Sequence, residues 1–431
     1  MSTRRQHLRT AAGSLSYFSM VTKASAANPS VAYGQATLPT TIRSRFLNDI
    51  NGLKVHILEA GFETPYRPCV LLLHGFPELA YSWRKVLVAL AEAGYHAVAP
   101  DQRGFGQTTG WDRRYEADLT SFSTLNMIRD ALALVSALGY RSVNVAGHDA
   151  GSPIAAWCAL VRPDVFHSVA MMSAPFGGPP SFPPPGTLST GLGATAELDE
   201  QLAGLSRPRK HYQRYYTTRE ADSDMRNCPQ GLSSFFRAYY HAKSADWKQN
   251  QPFVLKGRTA EEYAKLPSYY VMDLKKNMAE TAAEYMPTAV EVAANKWFTD
   301  EDVAVYATEY GRIGFQGGLQ GYRRGLEPRN NAELRTFSGR TVDVPSIFIS
   351  GKSDWGVYQT PGAAEAMRTK ACTNMKGFHL IEGAGHWVQQ EQPEATSRVL
   401  ISFLRQNQFA AKRQTSRVAT RQLPVGRLPG S

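Results

Sequence analysis

Asp149 stands at the centre of Gly147-His148-Asp149-Ala150-Gly151, between a strand-like run at 142–146 and a helical pattern at 153–161. A strand that passes through small residues straight into a helix makes a tight turn. Such a turn holds its central residue away from neighbouring backbone, and small flanking residues prevent clashes. Here that residue is a carboxylate. A carboxylate can displace a leaving group at an sp³ carbon and become an ester. Against an ester carbonyl it would give only a labile anhydride. Aspartate is also a favoured helix N-cap, so the turn alone leaves both roles open.

Other residues supply what a nucleophile would need. His386 lies in Gly383-Ala384-Gly385-His386-Trp387, a glycine-rich loop after the last strand-like run, where an imidazole can act as general base. Asp354 lies in Ser350-Gly351-Lys352-Ser353-Asp354, at the carboxyl end of another apolar run, and can accept the second ring N–H of that histidine. Asp343 and Glu382 are the competing carboxylates for this task. The order nucleophile, acid, histidine is that of the α/β-hydrolase fold. In His74-Gly75-Phe76-Pro77, the Phe76 backbone N–H can join that of Ala150 in an oxyanion hole. His74 and His148 read as structural histidines, with His74 and Pro77 at the pocket rim. Asp101 and Arg103, in a loop with two glycines, read as an internal pair shaping that rim.

These groups need a scaffold, and the middle of the chain has one. Runs at 46–50 and 53–59 flank Asn51-Gly52 and predict a hairpin. Apolar runs at 69–73, 96–99, 142–146 and 165–172 alternate with helical patterns at 81–93, 125–138 and 153–161. This alternation predicts an α/β fold with a mostly parallel sheet covered on both faces. It breaks after Pro175. A tyrosine-rich, mostly helical stretch follows before strand-like runs resume at 344–350 and 375–381, and a helix at about 394–404 closes the pattern. The expected organisation is a leader at 1–44, core at 45–176 and 326–408, a helical insertion at 177–325, and a disordered tail at 409–431.

The net charge of +11 belongs to the ends of the chain. Six basic residues precede the first acid, Asp49, and five more lie beyond residue 405 with no acid among them. No basic stripe interleaved with aromatics appears in the middle, so nucleic acid is not an expected partner. No apolar run approaches the roughly 20 residues that span a bilayer, so no stable membrane insertion is expected. The four cysteines match no zinc or redox spacing. The Arg4-Arg5 pair, the weakly apolar 11–21 and Ala24-Ser25-Ala26 fit a twin-arginine export signal, a mitochondrial presequence or a disordered leader of a cytoplasmic protein.

Taken together, His74-Gly75-Phe76-Pro77-Glu78, Asp101-x-Arg103-Gly104-Phe105-Gly106, Gly147-His148-Asp149-x-Gly151 and Gly385-His386-Trp387-x-Gln389 resemble the epoxide hydrolases of the α/β-hydrolase superfamily, the branch with an aspartate nucleophile. The resemblance runs from about Phe46 to Arg405. It implies that the insertion is a lid carrying two tyrosines that donate to an epoxide oxygen. Tyr212-Gln213 fits the first, with Tyr215 and Tyr216 as near competitors. Tyr322, in Gly314-Phe315-Gln316-Gly317-Gly318-Leu319-Gln320-Gly321-Tyr322-Arg323, fits the second. The resemblance further implies an apolar epoxide and water as substrates, Trp387 and Gln213 at the pocket rim, and no metal or organic cofactor. Many relatives carry an aromatic residue after the nucleophile, whereas this chain has Ala150. Dehalogenation on the same fold, ester hydrolysis and non-catalytic binding of a small molecule are the competing readings. The sequence leaves the oligomeric state open.

Overall fold

The computed structural model describes residues 37–182 and 193–418. Most of the leader and residues 419–431 of the tail lie outside the described residues. Eight strands form one sheet in the order β1-β2-β4-β3-β5-β6-β9-β10. They are β1 (Arg43–Ile50), β2 (Leu53–Ala60), β3 (Cys69–Leu73), β4 (His96–Pro100), β5 (Val143–His148), β6 (Phe166–Met172), β9 (Ser346–Gly351) and β10 (Met375–Ile381). Two further strands, β7 (Arg209–His211) and β8 (Val271–Asp273), pair separately.

The first two strands form the expected antiparallel hairpin, with Ile50 opposite Leu53. Asn51 and Gly52 both have positive φ (50° and 80°), as a tight turn with hairpin twist requires. From β4 onward the pairings within the sheet are parallel. Strands β3, β4 and β5 are buried throughout. This is why they read as continuous apolar runs instead of alternating ones. Helices cover both faces and create two apolar clusters. One holds Trp83, Leu87 and Leu90; the other holds Ile128, Leu134 and Trp157.

The segment between β6 and β9 is mostly helical, including Gly231–Lys243, Asp300–Ile313 and Gln316–Leu326. Its tyrosines largely form its own core: Tyr216, Tyr239, Tyr240, Tyr269, Tyr270, Tyr306 and Tyr310 are fully buried. The short β7–β8 pair was not expected, because three-residue strands carry too little pattern to read. The closing helix runs Pro393–Val418, continuing beyond the point where the sequence loses its apolar period. Among the described residues no helix is long and apolar enough to cross a membrane. All four cysteines are free and buried.

Candidate active site

Phe76, Asp101, Asp149, Asp354 and His386 all follow strands of the sheet at their carboxyl ends, where sheets of this type collect ligands. Asp149 follows β5 with φ of 49°, a left-handed conformation that costs a non-glycine residue on the order of 1–3 kcal/mol. The turn is close-packed. A Cβ at Gly147 would sit 2.1 Å from the Gly151 carbonyl oxygen, and one at Gly151 would sit 2.4 Å from that of Leu73. Gly75 is equally constrained: its Cβ would stand 2.4 Å from the Asp149 Cβ. That closeness lets the Phe76 N–H donate to Asp149 Oδ1 at 2.9 Å. Ala150 is exposed at the same turn.

His386 follows β10 and Asp354 follows β9. His386 Nδ1 lies 3.0 Å from Asp354 Oδ1. Asp354 is fixed in turn by the Gly356 N–H at 2.7 Å and the Ser350 hydroxyl at 2.8 Å. Both side chains are almost completely buried. His386 Nε2 stands 3.3 Å from Asp149 Oδ2, within ion-pair reach but without a well-aligned hydrogen bond. Asp343 and Glu382 are elsewhere: Asp343 accepts from Thr341 and Thr373, and Glu382 pairs with Lys352 at the surface.

The electrostatics follow from these contacts. Burial would raise the Asp149 pKa, but His386, then Lys243 and His148, hold it well below the usual carboxylate range. Burial would likewise lower that of His386. The Asp354 charge, the close approach of Asp149 Oδ2 and the hydrogen bond to Asp354 outweigh burial and the opposing Lys243, pushing it up to about 9. The resting site is therefore an Asp149 carboxylate beside a His386 imidazolium.

Tyr212 and Tyr322 stand together over this end of the sheet, their rings 6.1 Å apart. Burial and the nearby Asp149 charge raise both phenols well above their ordinary pKa, so both remain donors. The Tyr212 hydroxyl donates to Gln359 at 3.2 Å and accepts from Gln213 at 3.1 Å. Among the described residues the Tyr322 hydroxyl has no hydrogen-bond partner. The competing tyrosines are committed elsewhere: Tyr215 donates to Asp224 and Tyr216 to Tyr239. A cleft of about 360 Å³, lined by Gln213, Tyr322 and Gln359 among others, opens beside the pair.

The remaining rim residues divide. His74 lines a smaller cavity beside Ala150, with Nδ1 facing the Gly75 carbonyl and Nε2 accepting from the Gln102 N–H. Pro77 and Trp387 are buried; Trp387 stacks on Tyr240 at 4.1 Å. Asp101 and Arg103 do not pair with each other. Asp101 accepts from Ala80 and Gln107 and contacts His56 Nδ1 at 2.8 Å, whereas Arg103 forms a two-pronged pair with Asp130 at 2.7 and 2.8 Å. The sequence brought Asp101 and Arg103 close in number, but the turn aims them at different helices and strands.

A family model described as the α/β hydrolase fold matches residues 68–393. Epoxide hydrolase B of Mycobacterium tuberculosis is 31% identical over 369 residues, covering 84% of this chain and 97% of that protein. The chain belongs to the epoxide hydrolase family of the α/β hydrolases. Solved family members agree with the fold. The structure of an epoxide hydrolase from an endophytic Streptomyces superposes with a TM-score of 0.66 at 29% identity, over 85% of this chain and 96% of that one. Epoxide hydrolase I of potato, Solanum tuberosum, gives 0.64 at 29% identity, over 85% and 99%.

Within this family site, sequence reasoning missed the residues that hold the histidine loop. Glu78 Oε2 lies 2.6 Å from His148 Nδ1, and His148 Nε2 lies 2.7 Å from the His386 carbonyl oxygen. Glu391 accepts the N–H groups of Gly385, Trp387 and Ala245. The His386 N–H donates to the Lys243 carbonyl at 2.8 Å. The Lys243 ammonium is buried over five aromatic rings, nearest that of Tyr270 at 4.8 Å. Glu78 and Gln389 fell inside quoted motifs; Lys243 and Glu391 carried no local signal.

Proposed function

We propose that this protein hydrolyses epoxides to vicinal diols through an ester on Asp149. The observation that carries the reading is the Asp149 carboxylate itself: Oδ1 held by the Phe76 N–H, Oδ2 beside His386 Nε2, and the charge close enough to two lid phenols to raise their pKa. In this reading residues 177–325 act as the lid over a core formed by 45–176 and 326–408. Tyr322 and Tyr212 donate to the epoxide oxygen. Oδ2 attacks a ring carbon, the carbon–oxygen bond breaks, and the alkoxide takes a phenolic proton.

Esterification removes the Asp149 charge that helps keep His386 protonated. The His386 pKa therefore falls once the ester forms; its proton passes through solvent to the phenolate left by ring opening, and the neutral ring is a base when a base is needed. His386, oriented by Asp354, takes a proton from water, whose oxygen attacks Cγ of the ester. The charge on Oδ1 is met by the Phe76 and Ala150 N–H groups. Collapse releases the diol and regenerates the carboxylate. Neither half needs a metal or organic cofactor.

Incubation with a panel of terminal and internal epoxides and of haloalkanes tests this. Diol formation without halide release is expected. Halide release with no diol from any epoxide would replace the reading with dehalogenation.

A further inference from the structure

Ala150 opens a cavity of about 80 Å³ directly beside the nucleophile. Phe76, whose N–H holds Asp149 Oδ1, and Tyr322 line it too, so it adjoins the nucleophile loop and one of the two phenols. At about 30 Å³ of liquid volume per water molecule, it has room for two or three small groups. Phe105, Phe122, Met127 and Ile154 make most of its walls apolar. Such walls alone would take a hydrocarbon.

One wall differs. Arg324 lines the same cavity, partly buried. Its guanidinium donates to the Phe122 carbonyl at 3.1 Å, and among the described residues no acid lies within ion-pair reach of it. Burial lowers its pKa only to about 10, so it remains charged at neutral pH. The other cation on the lining, Arg103, is already matched by Asp130. Burial pushes the His74 pKa down, which keeps that ring neutral. The lining thus carries one uncompensated positive charge among apolar side chains. Holding a guanidinium there costs solvation that an anion would offset. Asp149 does not compete for that charge, because it faces His386 and the Phe76 N–H.

We propose that this cavity binds an anionic group of the substrate, and that the preferred epoxides carry a carboxylate on a short alkyl spacer, held by the fork of Arg324. The proposal rests on the epoxide reading for its chemistry, but the anion site is testable by binding alone. ω-Epoxyhexanoate and its methyl ester are titrated calorimetrically into the Asp149→Asn protein, with and without Arg324→Met. The acid should bind at least ten-fold tighter than the ester. Arg324→Met should abolish that preference, and Arg324→Lys should keep part of it. Ala150→Leu, which adds bulk on the lining of the same cavity, should also abolish it. Equal binding of acid and ester with Arg324 in place would overturn the proposal, as would a preference that survives Arg324→Met. Turnover by the unaltered protein separates the two readings. If neither these compounds nor any epoxide of the panel yields diol the epoxide reading fails, whereas calorimetry still decides the anion site.

Discussion

Removing the two lid hydroxyls one at a time should have unequal consequences. The Tyr322 hydroxyl has no protein partner among the described residues, so Tyr322→Phe leaves the resting protein almost unchanged and is felt only as the ring oxygen becomes charged. Loss of one preorganised donor to a developing oxyanion costs about 2.7–4 kcal/mol, or about 10²–10³ in rate. The Tyr212 hydroxyl must first give up its hydrogen bond to Gln359, worth about 1 kcal/mol net. Its removal should therefore cost about 2–3 kcal/mol, roughly 30- to 150-fold. The ester-forming rate of Tyr322→Phe should be about five-fold below that of Tyr212→Phe, and thermal melting of Tyr322→Phe should match the unaltered protein. Rapid-quench single-turnover measurements on one epoxide supply both rates. Tyr322→Phe within three-fold of the unaltered protein, or Tyr212→Phe the more damaging, would refute this division of labour.

Further outcomes follow from the same geometry. His386→Gln should form the ester at a measurable rate and stall, leaving a protein heavier by the mass of the epoxide in intact mass spectrometry. In the unaltered protein, hydrolysis of the ester should accelerate as pH rises and level off at an inflection below about 9, the value of His386 while Asp149 is still charged. Ester formation should show no limb near neutrality from Asp149, whose pKa is held low. Because Lys243 opposes protonation of His386, Lys243→Met should move the hydrolysis inflection to higher pH, readable by stopped-flow at a series of pH values. Gly75→Ala should lose nearly all activity and melt at lower temperature, since its Cβ would displace Asp149 or the Phe76 loop; circular dichroism and a diol assay record both.

Much of this site could be read in the sequence because its parts are local. The elbow announces itself through two glycines at fixed offsets from Asp149. Asp354 and His386 each follow an apolar run, so knowing where strands end places them. Tyr322 sits in a long motif, whereas Tyr212, Tyr215 and Tyr216 are too close in number for the sequence to separate, and in the structure they donate to Gln359, Asp224 and Tyr239 respectively. What could not be read depends on distant packing. Arg103 finds Asp130 on the helix Thr124–Ala137, not its neighbour Asp101. Lys243 and Ala245 reach the histidine loop only after the insertion folds back over the sheet. Ala150 was visible as a departure from relatives, but its consequence, a cavity facing Arg324, needed the helix Gln316–Leu326 in place.

The central claim is that Asp149 becomes covalently attached and is hydrolysed at its own carbonyl carbon. Repeated turnover of an epoxide in heavy-oxygen water, followed by mass spectrometry of the peptide containing Asp149, tests it most directly. The account predicts heavy oxygen in the Asp149 carboxylate. Label confined to the diol, with Asp149 unlabelled after many turnovers, would contradict it.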